Sequence, residues 1–81
     1  MSTARPENDT VLDATGEECP VPIEMARRRL ASMAPGGVVR VLSTDPVSPI
    51  DFEAWCMREP HEFLGARERD GVWEIRLGKG L

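Results

Sequence analysis

Residues 10–43, TVLDATGEECPVPIEMARRRLASMAPGGVVRVLS, decide the fold, because they read as a strand, a helix and a second strand in immediate succession. Residues 10–14 form a short strand, with Val11, Leu12 and Ala14 supplying apolar surface and Gly16 turning the chain. Over residues 20–34 the apolar side chains Ile23, Ala26, Leu30 and Met33 recur at helical spacing, while Glu24, Arg27 and Arg28 fall on other faces. Proline is accommodated in the first turn, where N–H groups have no intrahelical acceptor, and Pro35-Gly36-Gly37 ends the helix. The β-branched run at residues 38–43 is the second strand. A strand–helix–strand unit of this length predicts two parallel strands joined by a right-handed crossover.

Residues 45–58 predict a second helix. Asp45-Pro46 and Ser48-Pro49 each offer a start, Ser48 with Asp51 resembles a capping box, and Phe52, Trp55 and Cys56 share one side. Pro60 closes it. Residues 62–69 and 72–77 flank Asp70-Gly71, the signature of a two-residue type I′ hairpin. In the last strand Trp73, Ile75 and Leu77 point one way and Val72, Glu74 and Arg76 the other. The expected fold is an α/β (α+β) two-layer sandwich of order βαβαββ. Its four-stranded mixed sheet carries both helices on one face. Residues 1–9 are expected to be a flexible tail and residues 10–81 the single domain.

Composition narrows the function. The 81-residue chain is 41% apolar and 30% charged, as an ordinary small globular domain is. Fourteen acidic against ten basic residues give a formal charge of −4, which disfavours direct nucleic-acid binding. No stretch approaches the ~20 apolar residues of a membrane span. The N-terminal residues lack the apolar run of a signal peptide, so the expected location is the cytoplasm. The two cysteines, Cys19 and Cys56, are far apart and read as free thiols there rather than as a permanent staple. No cofactor or metal is expected, since Cys19, Cys56 and His61 lack paired ligand spacing, and nothing calls for more than a monomer.

Cys19 stands out chemically. It lies where a strand and turn deliver the chain into a helix. If Pro20 takes the first helical position, Cys19 caps the helix and meets its partial positive charge. That favours the thiolate, the nucleophilic form, and equally an anionic persulfide. Pro20 and Pro22 lack N–H groups, leaving those of Val21 and Ile23 for a bound sulfur anion, and their rings stiffen the turn that presents the thiol. Glu17 and Glu18 oppose the thiolate. With their repulsion damped by water and salt, the expected net shift is a modest fall below the usual ~8.5.

The segment Leu12-Asp13-Ala14-Thr15-Gly16-Glu17-Glu18-Cys19-Pro20-Val21-Pro22 resembles the signature of the TusA family, also called SirA-like. The resemblance continues through Arg27-Arg28, Pro35-Gly36, Thr44-Asp45-Pro46, Asp51 with Trp55, His61-Glu62 and Asp70-Gly71, covering residues 10–79. It implies the same βαβαββ sandwich and a sulfur carrier that accepts sulfane sulfur as a persulfide on the Cys-Pro-x-Pro cysteine, here Cys19. The implied donor is a persulfidic cysteine desulfurase or rhodanese, and the implied acceptor a DsrE-like or other protein. Implied end uses are tRNA thiolation, molybdenum cofactor supply and sulfur oxidation. Such a protein is a sulfurtransferase-type carrier rather than a multiple-turnover enzyme. Many members carry a basic residue where this chain has Glu18.

Other residues have narrower readings. Arg27, Arg28 and Glu18 are the candidates for partner docking, the arginines by steering an acidic partner. Cys56 is a candidate second thiol, with half-buried packing as the plainer role. His61 is expected at a turn or strand edge rather than as a base for Cys19. Asp45 and Asp51 are expected to cap or charge the second helix, and Asp13 and Asp45 to border the Cys19 site. The competing functions are a regulatory, protein-binding module on the same scaffold and a dithiol redox protein using Cys19 and Cys56.

Overall fold

The computed structural model describes residues 9–80; the predicted tail, residues 1–9, lies almost wholly outside the described residues. Strands and helices alternate as β1 (Asp9–Asp13), α1 (Val21–Ala31), β2 (Val38–Ser43), α2 (Ser48–Cys56), β3 (Glu62–Arg69) and β4 (Val72–Gly78). The sheet order is β1-β2-β4-β3, with β1 parallel to β2 and the other pairs antiparallel. This is the βαβαββ sandwich expected from the alternation of periodicities.

The alternation of side chains sets the layers. Leu12, Val39, Val41, Ile75 and Leu77 point from the sheet into the space filled by Ala26 and Leu30 of α1 and Phe52 and Trp55 of α2, all buried. Phe52 and Trp55 meet edge to face, with ring centroids 6.4 Å apart. The opposite face of the sheet carries the side chains of alternate parity, such as Val11, Arg67 and Arg76, which are exposed. The hairpin turn is as the sequence requires: Asp70 and Gly71 both have positive φ, 55° and 83°, which the type I′ turn demands and asparagine, aspartate and glycine tolerate best. Among the described residues no helix is long and apolar enough to cross a membrane.

Element ends depart from the sequence reading in informative ways. Hydrogen bonding along β1 continues one residue beyond the strand, through Ala14 N–H to the Leu42 carbonyl at 2.8 Å. The first helix spans Val21–Ala31 rather than 20–34. Pro20 is its N-cap (φ −100°, ψ 16°), so Pro22 and not Pro20 lies inside the first turn. At the other end Ser32 donates both its N–H and its hydroxyl to the Arg29 carbonyl, at 3.1 and 2.9 Å, which tightens and stops the helix before Pro35 is reached. Lys79 Nζ then donates to the Leu30 carbonyl at 2.7 Å, tying the C-terminal segment to this helix end.

The second helix spans Ser48–Cys56 rather than 45–58, and the capping box does not form. Its N-cap is Val47, with no side-chain cap. The Ser48 hydroxyl turns inward instead and shares a 2.7 Å hydrogen bond with the buried Ser43 hydroxyl. Residues 45–47 form a turn closed by Ser48 N–H donating to the Asp45 carbonyl at 3.0 Å.

Candidate functional site

Parallel pairing positions the site. Strands β1 and β2 run side by side to Asp13 opposite Leu42, so the loops that leave them share one edge of the sheet. Both helices start at that edge, which is where parallel strands with crossover helices place their ligands. The two loops are laced together by consecutive side chains. Thr44 Oγ1 accepts the Gly16 N–H at 2.9 Å, and Asp45 Oδ2 accepts the Cys19 N–H at 3.0 Å. The other Asp45 oxygen, Oδ1, accepts the Val47 N–H at 3.1 Å, and the Asp45 N–H donates to Ser43 Oγ at 3.2 Å.

The Cys19 loop also has local order. Asp13 Oδ1 accepts the N–H and the hydroxyl of Thr15, at 3.0 and 2.6 Å, and these bonds hold its carboxyl below the usual range. Gly16 turns the chain at φ 85°, the Val21 N–H donates to the Glu18 carbonyl at 2.8 Å, and the Cys19–Pro20 peptide bond is cis. Between residues 16–19 and 44–46 lies an open cleft of about 450 Å³ with the exposed Cys19 in its wall. Exposed Val21, Val47 and Ile50 stand at the same ends of α1 and α2.

At Cys19 the structure departs from the sequence expectations in two ways. Pro20 rather than Cys19 is the N-cap, and the Val21 N–H is already used by Glu18, so of the two donors expected for a sulfur anion only that of Ile23 stays open. The thiol pKa is raised rather than lowered. The largest cause is hydrogen bonding of the neutral thiol to the Asp51 carboxylate, followed by loss of solvation and the charges of Asp51 and Asp45. The opposing carboxylates thus come from the α2 side of the cleft and not chiefly from the neighbouring Glu17 and Glu18. The sequence names Thr44 and Asp51 within the family resemblance, and Asp51 also at a helix start, but gives neither a role at the thiol; both enter the site through the pairing of β1 with β2.

The remaining candidates separate. Arg27 and Arg28 are exposed on α1, Arg27 in an ion pair with Glu24 one turn earlier. Arg29, the third of the run, faces the sheet and donates to Thr10 Oγ1 at 2.7 Å. Glu18 is exposed in the wall of the Cys19 cleft. Cys56 is half-buried at the end of α2, its thiol pushed up by burial and by Glu59. It lines a different depression, with Met57, His61 and Phe63. Both cysteines are free. His61 Nδ1 accepts the Gly80 N–H at 3.2 Å, and its ring lies 5.7 Å from that of Trp55, so it pins the strand edge and C-terminal segment. Burial and the Lys79 charge lower its pKa.

The family model described as sulfurtransferase TusA matches residues 10–79. A chain of Neisseria meningitidis serogroup B, provisionally named a sulfur carrier protein, is 47% identical over 68 residues, which cover 84% of this chain and 92% of that one. The sulfur carrier protein TusA of Pseudomonas entomophila is 39% identical over 66 residues, 82% of each chain. The crystal structure of a SirA-like protein from Desulfitobacterium hafniense superposes with a TM-score of 0.67 at 32% identity. That match covers 89% of this chain and 99% of the other. Element order and these matches agree: the chain belongs to the TusA sulfurtransferase family.

Proposed function

We propose that this protein is a sulfur carrier in which Cys19 holds sulfane sulfur as a persulfide. The observation that carries the reading is the exposed thiol at the start of α1, presented in an open cleft by a loop laced to its neighbour. In the loading step the Cys19 thiol gives its proton to water and the resulting thiolate attacks the terminal sulfur of a persulfidic donor. The donor S–S bond breaks, the donor departs as a thiolate, and a Cys19 persulfide forms with no net oxidation. Unloading is the same displacement, with an acceptor thiolate as nucleophile and Cys19 as leaving group.

A carrier of this kind meets a donor and an acceptor protein. We assign the donor to the cysteine desulfurase or rhodanese class and the acceptor to a DsrE-like or other thiol protein, with tRNA thiolation, molybdenum cofactor supply or sulfur oxidation as the destination. Residues 10–81 act as one working domain, and two free thiols suit the reducing cytoplasm. Exposed Val21, Val47 and Ile50 beside the cleft give a partner apolar surface to cover, and Glu18, Arg27 and Arg28 supply charge around it.

The test is mass spectrometry of the peptides after incubation with sodium polysulfide. One added sulfur atom on Cys19 is expected, abolished by Cys19→Ser and retained in Cys56→Ser. Sulfur found on Cys56 alone would overturn the assignment.

A further inference from the structure

Among the described residues, Asp45 is the only side chain that joins the Cys19 loop to the start of α2 through both of its carboxylate oxygens, one on the Cys19 N–H at 3.0 Å and one on the Val47 N–H at 3.1 Å. The residue is itself held from behind, its N–H on Ser43 Oγ and its carbonyl on the Ser48 N–H, so it is half-buried and locally fixed. Hydrogen bonds of N–H groups to a carboxylate are about twice as strong as neutral ones. Asparagine cannot replace this arrangement, because its amide offers one acceptor where two N–H groups converge. Its neighbour Thr44 takes the Gly16 N–H at 2.9 Å, so two consecutive residues grip both ends of the turn that carries the thiol.

Resting on the reading of Cys19 as the sulfur-bearing residue, we propose that Asp45 is the positioning residue of the site: its bridging carboxylate fixes the Cys19 backbone against the start of α2 and so sets where the thiol stands relative to the Asp51 carboxylate. The carboxylates that act on the thiol are Asp51 from α2 and Asp45 from the loop after β2, and Glu17 and Glu18 of its own loop line the same cleft. Asp45 itself touches neither sulfur nor substrate in this role; it acts through the peptide of Cys19.

The experiment uses the full chain carrying Cys56→Ser, so that one thiol reports. In the unaltered Asp45 background, the Cys19 amide is expected to be protected from hydrogen exchange. Asp45→Asn and Asp45→Ala should raise Cys19 amide exchange about tenfold or more, the loss of a charge-assisted bond. The pH midpoint of Cys19 alkylation by iodoacetamide should move down, while the amides of Val39 and Val41 in β2 keep their protection. Asp45→Glu keeps the charge but not the reach, and should lose the amide protection as well. An unprotected Cys19 amide in the unaltered background would overturn the proposal even if no variant folds. So would an alkylation profile that Asp45→Asn leaves in place. Failure of polysulfide to load Cys19, with these amide and alkylation results intact, would count against the carrier reading alone.

Discussion

At Cys19 two influences compete, and distance along the chain is a poor guide to which wins. Glu17 and Glu18 are its sequence neighbours, yet the carboxylates that hold the proton on sulfur are Asp51, through hydrogen bonding and charge, and Asp45, through charge. The cysteine itself is legible in the sequence because its signal is local, a thiol between a turn and a proline-containing helix start. Asp45 is bonded to it across 26 residues and Asp51 faces it from another helix, contacts that exist only because β1 and β2 pair in parallel. Replacing Asp51 by asparagine removes a strong acceptor for the neutral thiol and a negative charge that penalises the thiolate. Both changes favour the thiolate, so the Cys19 pKa falls. Iodoacetamide should therefore react faster with Asp51→Asn than with the unaltered protein near neutral pH, with the two rates converging above both midpoints. Equal rates across the whole range would show that Asp51 does not act on the thiol.

Among the elements, the hairpin was the easiest to read and the helix starts the hardest. Asp70-Gly71 dictates its turn through backbone preference alone, and both residues adopt the positive φ it requires. A capping box depends on where a side chain points, which the packing of the whole layer decides. Ser48 and Asp51 have the right spacing, but the Ser48 hydroxyl is drawn into the core by Ser43, and Asp51 acts on the Cys19 thiol instead. The two readings of Ser48 differ in a measurable way. A buried hydroxyl pair makes its two members interdependent, since deleting one leaves the other with a lost partner in a dry site. Ser48→Ala should lower stability by about 1–2 kcal/mol in urea unfolding. A double-mutant cycle with Ser43→Ala should give a coupling of about 0.5 kcal/mol or more. Strict additivity would mean that the inward bond contributes nothing, and would return Ser48 to a surface role.

Over the whole molecule, the small core and the site depend on the same few side chains. An 81-residue domain has a total stability of about 4–12 kcal/mol at typical values per residue. Phe52 is fully buried, meets Trp55 edge to face, and anchors α2 to the sheet. Truncating it to alanine removes about 3–5 kcal/mol, enough to threaten the fold outright. Leucine is the more informative replacement, with an expected loss of about 1–2 kcal/mol by thermal or urea unfolding. Phe52 directly follows Asp51, so a helix that settles differently over a smaller side chain carries the Asp51 carboxylate with it. The thiol it holds protonated should then ionise more readily. Phe52→Leu is therefore expected to lower both the unfolding midpoint and the pH midpoint of Cys19 alkylation. Leu30→Val in α1 is an equally buried control that should lower the first but not the second. A shift of the alkylation midpoint in both variants would point to general loosening of the fold. A shift in neither would mean that the N-terminal end of α2 keeps its place through Asp45 and the Ser43–Ser48 pair, without help from the core.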